Sequence, residues 1–315
     1  QQYLLEKTRV VSHAVNERGF HIFYQMVAGL PSDERLRLDI QSSRSFRLLG
    51  TQSRGLPTDQ EAWRLTVESL RSIGISGVCF SALLEALAGL LHIGEACWRD
   101  ECRDGSDRAA VISEDSADRF QWGCAMLGVP AELLLTTLTT KCRTLPSGSI
   151  LRSPVSATDA DTALKSLARG LYSVTFDWVI SKANEVMGGS WSTEHWVGVL
   201  DIFGFEYFST NSLEQFFINW ANERLQQFFI QTWFRSEIQL HEAEGIDASH
   251  IVFKDNSEIL RLIDAPRKPP GIVALLNDAS VSAMGADKAF TGQVLRSLSA
   301  PKLLEAPRVG CGDGF

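Results

Sequence analysis

An apolar run from Trp196 to Ile202 carries Asp201 near its carboxyl end, and Gly204, Phe205 and Glu206 follow closely. An aspartate at the end of a buried strand can hold the hydration shell of a magnesium ion. A glycine N–H, unshielded by a Cβ, can approach a terminal phosphate oxygen. Such nucleotide-sensing chemistry suits the place, because ligands of α/β sheets gather beyond the carboxyl ends of strands. Taken alone, Asp-x-x-Gly is short enough to arise by chance, and a plain strand-to-loop turn uses the same residues.

Other chemistry finds less support in the spacing. Gly50 to Gly55 has the Gly-x-x-x-x-Gly frame of a phosphate-binding loop, but Leu56-Pro57 stand where Lys and Ser/Thr would reach the phosphates and magnesium. The cysteines at 79, 97, 102, 124, 142 and 311 form no Cys-x-x-Cys pair, and no His-Glu-x-x-His occurs. Free thiols are therefore expected rather than zinc or disulfides. The acidic residues between Asp100 and Asp118 lack calcium-loop spacing and read as a solvated surface.

The elements that must position Asp201 and Gly204 follow from periodicity. A helical pattern runs from Gln1 to about Leu30, then a polar stretch to Asp59 with short helical pieces. Thr58 or Asp59 caps a helix to about Ile73. Gly77 to Gly94 is apolar and of nearly bilayer-spanning length. Glu85 at its middle and the lack of basic flanks favour a buried amphipathic helix. Trp98 to Ser116 reads as a charged surface loop, followed by helices over about 117–127 and 131–139. A short strand or hairpin is expected before a long helix, about Ala157 to Met187. Trp196–Ile202 is the clearest strand, apolar without alternation, as if buried on both faces. Asn211 then caps one continuous helix to about Ala243. Phe216, Phe217, Trp220, Phe228, Phe229, Trp233 and Phe234 spread around its circumference, so it should be enclosed on most sides.

A chain of 315 residues, 44% hydrophobic and 22% charged, is globular in composition and long enough for about two domains. Its net charge of −8 and lack of a Lys/Arg cluster argue against nucleic-acid binding. No transmembrane segment is expected. The opening at Gln1 reads as a fragment or a processed chain.

The run GVLDIFGFEYFSTNSLEQFFINWANERLQQFF resembles the switch II loop and relay helix of the myosin motor head. Three further stretches are similar to that family in the same order. TRVVSHAVNERGFHIFYQMVAGL resembles the upper fifty-kilodalton segment after switch I. GLYSVTFDWVISKANEVM resembles the helix leading into switch II, and EGIDASHIVFKDNSEILRLIDAPRKPPGIVALLND the relay loop and the start of the lower fifty-kilodalton subdomain. The resemblance covers about residues 3 to 298. It implies a mainly α fold with a few β-strands, a partial P-loop NTPase of the myosin motor α/β type without the P-loop and switch I. Residues 1–190 would form the upper helical segment and 191–298 the switch II strand, relay helix and partial lower segment, with 299–315 an unassigned tail.

What the resemblance implies for individual residues is limited. Asp201 would sit by Mg²⁺–ATP through water, Gly204 would donate its N–H to the γ-phosphate, and Glu206 would pair with a switch I arginine to close the site. Asn222 and Glu223 would lie on the relay helix. Asp278, Asp287 and Lys288 would lie toward actin, although Ser282 to Gly285 depart from the family's usual Phe-Pro loop. Ala248 stands where a tryptophan is common and His250 where a phenylalanine is, which bears on contact with the converter. ATP and Mg²⁺ would be the intact motor's cofactors, with no tight binding by these residues alone. Its partners would be actin filaments, the remaining motor segments, the converter and light chains, in the cytoplasm on the actin cytoskeleton. The alternative is a truncated relative serving as an interaction module without ATPase activity. An unrelated Asp-x-x-Gly GTPase would need an Asn-Lys-x-Asp that this sequence lacks.

Overall fold

The computed structural model describes residues 5–13, 17–40, 45–52, 56–103, 107–188, 202–208, 211–266, 269–281, 287–298 and 303–304. The chain divides into two compact units, Gln1–Val197 and Gly198–Phe315. It is mainly α, with two small antiparallel hairpins among the described residues. Apart from Ile202, the expected strand Trp196–Ile202 lies outside the described residues, Asp201 included.

The first unit begins with a 3₁₀ turn at Lys7–Val10, then α1 (His21–Gly29) and α2 (Ser32–Arg37). The continuous helical pattern read from Gln1 to Leu30 is thus corrected to a turn and one short helix. Tertiary bonds account for the difference: the Gly19 N–H donates to the Tyr24 hydroxyl at 2.9 Å, and Arg9 reaches Glu17 at 2.9 Å and the Arg18 carbonyl at 3.2 Å. These hold the segment before α1 folded back rather than helical. After a 3₁₀ turn at Arg47–Gln52 comes α3 (Pro57–Ser72), where the Asp59 carboxylate accepts the Leu56 N–H at 2.6 Å. Helix α4 (Gly77–Ile93) is the apolar helix, buried without interruption from Leu87 to Ile93. Glu85 lies on its less buried side and pairs with Arg37 of α2, which removes the puzzle of a carboxylate in an apolar run. No single helix among the described residues is long and apolar enough to cross a membrane.

The charged stretch from Trp98 is not a loop. It forms a hairpin of β1 (Trp98–Arg103) and β2 (Asp107–Ile112), with Trp98 opposite Ile112 and Asp100 opposite Ala110. Local propensity for a strand is low here, and contacts from elsewhere decide the outcome. The Ala110 N–H donates to the Val155 carbonyl at 2.8 Å, Asp100 accepts the Ala157 N–H at 2.7 Å, and Trp98 meets Phe120 edge to face at 6.3 Å. Next come α5 (Glu114–Met126), α6 (Ala131–Thr139) and a second hairpin, β3 (Thr140–Thr144) with β4 (Ile150–Pro154), where the sequence suggests one. Helix α7 spans Ala157–Met187 as expected, its Ser156 cap accepting the Asp159 N–H at 3.1 Å. The core of the unit is built from α1, α3, α4, α5 and α7 around Phe23, Tyr24, Trp63, Leu84, Leu91, Phe120 and Tyr172. Helices α4 and α5 cross with Gly89 against Gly123. A Cβ on Gly123 would stand 2.8 Å from the Ile93 backbone nitrogen and 2.9 Å from the Gly89 carbonyl, so backbones touch there.

The second unit carries α8 (Leu213–Phe229), a π-helical stretch at Ile230–Arg235 and α9 (Ser236–Ala243), without a break near Trp220. Its cap is Ser212 rather than Asn211. The Ser212 N–H donates to the Gln215 side chain at 2.9 Å as in a capping box, while Asn211 exchanges two 2.9 Å bonds with the Phe208 backbone and closes the preceding turn. Enclosure of the helix is not supplied by the described residues: Phe228, Phe229 and Trp233 are exposed. Three short helices follow, α10 (Ser257–Asp264), α11 (Ile272–Val281) and α12 (Asp287–Ser297), gathered around Leu275, Val294 and Leu298.

Candidate functional site

The segment from Ile202 to Phe208 is a loop laid against α8 and held there by side-chain amides. Gln215, Asn219 and Asn222 recur at intervals of four and three, so they share one face of the helix. Asn222 Nδ2 donates to the Gly204 carbonyl at 3.0 Å. Asn219 is bidentate on the backbone of Glu206, accepting its N–H at 2.8 Å and donating to its carbonyl at 2.8 Å. Gln215 Nε2 donates to Glu206 Oε2 at 3.2 Å, while Gln215 Oε1 accepts from the Ser212 cap. An amide carries both a donor and an acceptor, which is what an irregular backbone without sheet or helix partners requires. Two members of this row, Gln215 and Asn219, escaped sequence reasoning. The available signal was the recurrence of buried-side amides on a helix otherwise crowded with aromatic residues.

The clamp turns the loop residues in opposite senses. Phe203, Phe205, Tyr207 and Phe208 face outward, Tyr207 being 93% exposed, while Glu206 is half-buried toward the helix. Gly204 is exposed. It does not adopt a positive φ, and a Cβ built on it meets no described atom within 4 Å. Its carbonyl is taken by Asn222, and its N–H makes no hydrogen bond with the described residues. Nothing inside the described chain therefore requires glycine at 204.

The other face of α8 is tied to α10 and to Asn256 just before it. Asn256, buried, donates through Nδ2 to the Glu223 carbonyl at 2.8 Å and also to its carboxylate. Gln227 donates to Ser257 at 3.0 Å, and Asp264 accepts the Trp220 indole N–H at 2.9 Å while pairing with Arg224. Asn222 and Glu223 are thus neighbours in sequence with different tasks, one holding the loop and the other the segment before α10. Ala248 is buried and His250 exposed in the turn after α9, where Phe234 and Phe253 pack at 5.6 Å. Of the remaining expected residues, Asp278 is exposed near the end of α11. Asp287 and Lys288 open α12, and their side chains lie outside the described residues, as do Asp201 and Ser282 to Gly285. The structure brings Gly204, Glu206 and Asn222 together and ties Glu223 to the same helix. Asp278 makes no hydrogen bond or ion pair with them among the described residues.

The fold and site together are a mainly helical chain with an amide-clamped, glycine-bearing loop at the head of a long helix. The particular family is shown by comparison: residues 1–313 match the family model for the myosin head (motor domain), and the chain belongs to that family. It is 35% identical to the human unconventional myosin-XIX over 287 residues, covering 88% of this chain and 28% of that protein. To myosin-B/C of Toxoplasma gondii it is 32% identical, covering 94% of this chain and 25% of that one. To myosin-2 of Lachancea kluyveri it is 34% identical, covering 98% and 20%. The chain thus spans about a fifth to just over a quarter of the length of these relatives.

Proposed function

We propose that these residues form the switch II and relay portion of an actin-based motor that couples ATP hydrolysis to force on actin filaments, working in the cytoplasm with the actin cytoskeleton. The observation that carries the reading is Gly204. Its exposed position, unstrained φ and an N–H without a partner among the described residues leave a place where a side chain would fit within the described chain, so the glycine serves the close approach of something outside it. A γ-phosphate oxygen suits a bare backbone N–H. Bound Mg²⁺–ATP would supply the phosphoryl group. In this reading Gly204 donates to it, Asp201 holds the metal's water, and Glu206 offers a carboxylate to an arginine of switch I.

The chain's own part is positional. The bonds from Asn219 and Asn222 fix the loop backbone on α8, so a shift of the loop toward a phosphate pulls on the helix. Through Glu223, Trp220 and Gln227 the helix carries that displacement to α10 and to Asn256 just before it. Phosphoryl transfer of this kind depends on positioning and electrostatics, so a polypeptide limited to these residues, in which no Gly-x-x-x-x-Gly frame is followed by Lys and Ser/Thr, turns over no ATP. Calorimetry with Mg²⁺–ATP should show no binding at micromolar concentrations. In a motor domain that contains this chain, Gly204→Ala should lower actin-activated phosphate release at least a hundredfold while nucleotide still binds. Retained turnover in that variant would defeat the assignment.

A further inference from the structure

The first unit contains a cavity of about 170 Å³ unconnected with the chemistry above. Apolar side chains of α1, α3 and α4, among them Leu83 and Leu87, form much of its wall, and Tyr172 and Phe176 of α7 complete it. None of the described lining residues is charged. Tyr172 is only 6% exposed and its ring is fixed in a stack, parallel to Phe20 at 4.3 Å and to Phe176 at 6.5 Å. Its hydroxyl makes no hydrogen bond with any described residue. Burial pushes the phenol well above its ordinary pKa, so it remains a proton donor at any physiological pH. The two threonines of the wall are already committed, Thr66 to Gln25 at 2.8 Å and Thr175 to the Leu171 carbonyl at 2.8 Å.

The lining therefore offers apolar surface, an aromatic face and one donor without a partner among the described residues. We propose that this cavity is a binding site for a neutral, single-ring aromatic molecule carrying one hydrogen-bond acceptor, such as an aryl ketone, with the acceptor on the Tyr172 hydroxyl. Size sets the class. An apolar cavity of about 150 Å³ accommodates benzene, so this one takes a single ring with two or three further heavy atoms and excludes fused tricyclic ligands. Charge sets it too, since an ion would enter without a counter-charge. The acceptor is specified by the phenol, whose hydroxyl has no hydrogen-bond partner among the described residues and can donate to a carbonyl. The site lies wholly within the first unit and is independent of the nucleotide reading.

The test uses the full 315-residue chain and two fluorinated probes, 4-fluoroacetophenone and 1-ethyl-4-fluorobenzene, followed by ¹⁹F relaxation at low micromolar protein. Both should bind saturably, the ketone about tenfold more tightly. Tyr172→Phe retains the ring and removes the donor, and should bring the two affinities within about twofold. Val179→Phe, in the cavity wall, should abolish both, with an unchanged thermal transition showing that the variant is folded. Absence of saturable binding, a ketone preference that survives Tyr172→Phe, or binding that survives Val179→Phe in the folded variant would each overturn the proposal.

Discussion

Replacing Asn219 by alanine removes two 2.8 Å bonds to the Glu206 backbone and leaves Gln215 and Asn222 in place. Each bond contributes about 0.5–1.5 kcal/mol net, so loop closure loses about 1–3 kcal/mol. Alanine is the better helix former by about 0.6 kcal/mol, but that gain acts on α8 whether the loop is closed or open and cannot hold the loop. The local effect should therefore win. At about 1.4 kcal/mol per factor of ten, the Glu206 amide should exchange with solvent roughly 5 to 150 times faster, while amides in α7 keep their rates. Hydrogen exchange read by mass spectrometry with residue-level fragmentation measures this directly. Asn219→Asp is the informative control. It preserves an acceptor for the Glu206 N–H but loses the donor to its carbonyl, so amide protection should stay within about threefold of the parent. An unchanged Glu206 rate in Asn219→Ala, or an acceleration spread evenly over both units, would refute the clamp.

Gly123→Ala should destabilise the first unit by about 1–3 kcal/mol, because the new methyl would press on backbone atoms of Ile93 and Gly89; a fall of several degrees in Tm is the readout. Asp59 should give that unit an acid-sensitive element. Burial alone would raise its carboxyl, but hydrogen bonds from Arg18, at 2.6 and 3.2 Å, and from the Leu56 N–H outweigh it and hold the pKa below the ordinary value. The stabilisation is present above the unfolded-state pKa near 4 and is lost as pH falls through the lower folded value. Tm measured from pH 6 to 3 should thus fall less steeply in Asp59→Asn than in the parent. For the thiols, maleimide at pH 8 should label exposed Cys79, Cys97 and Cys142 in the native chain and spare buried Cys124, whose pKa burial pushes up to about 11; mass spectrometry before and after denaturation distinguishes them.

Several elements were written in local sequence. Helix α7 could be delimited from Ser156 to Gly188 because a capping serine, a sustained apolar period and a terminal glycine all lie within one segment. Helix α6, opened by Pro130, and the glycine-turn hairpin of β3 and β4 were also legible from neighbouring residues. The family too was legible, since the run through switch II and the relay helix is long and nearly continuous in residue type. Tertiary structure decided what depends on distant partners. The β1–β2 hairpin has a loop-like composition and exists because Val155, Ala157 and Phe120 receive it. The helix expected before α1 is displaced by bonds from Arg9 and Tyr24. At the candidate site, the sequence pointed to Gly204 and Glu206 but could not show that Asn219 grips the Glu206 backbone. Periodicity reports which face of a helix a residue occupies, whereas a hydrogen bond to an irregular loop depends on where the chain returns, and only the folded chain fixes that.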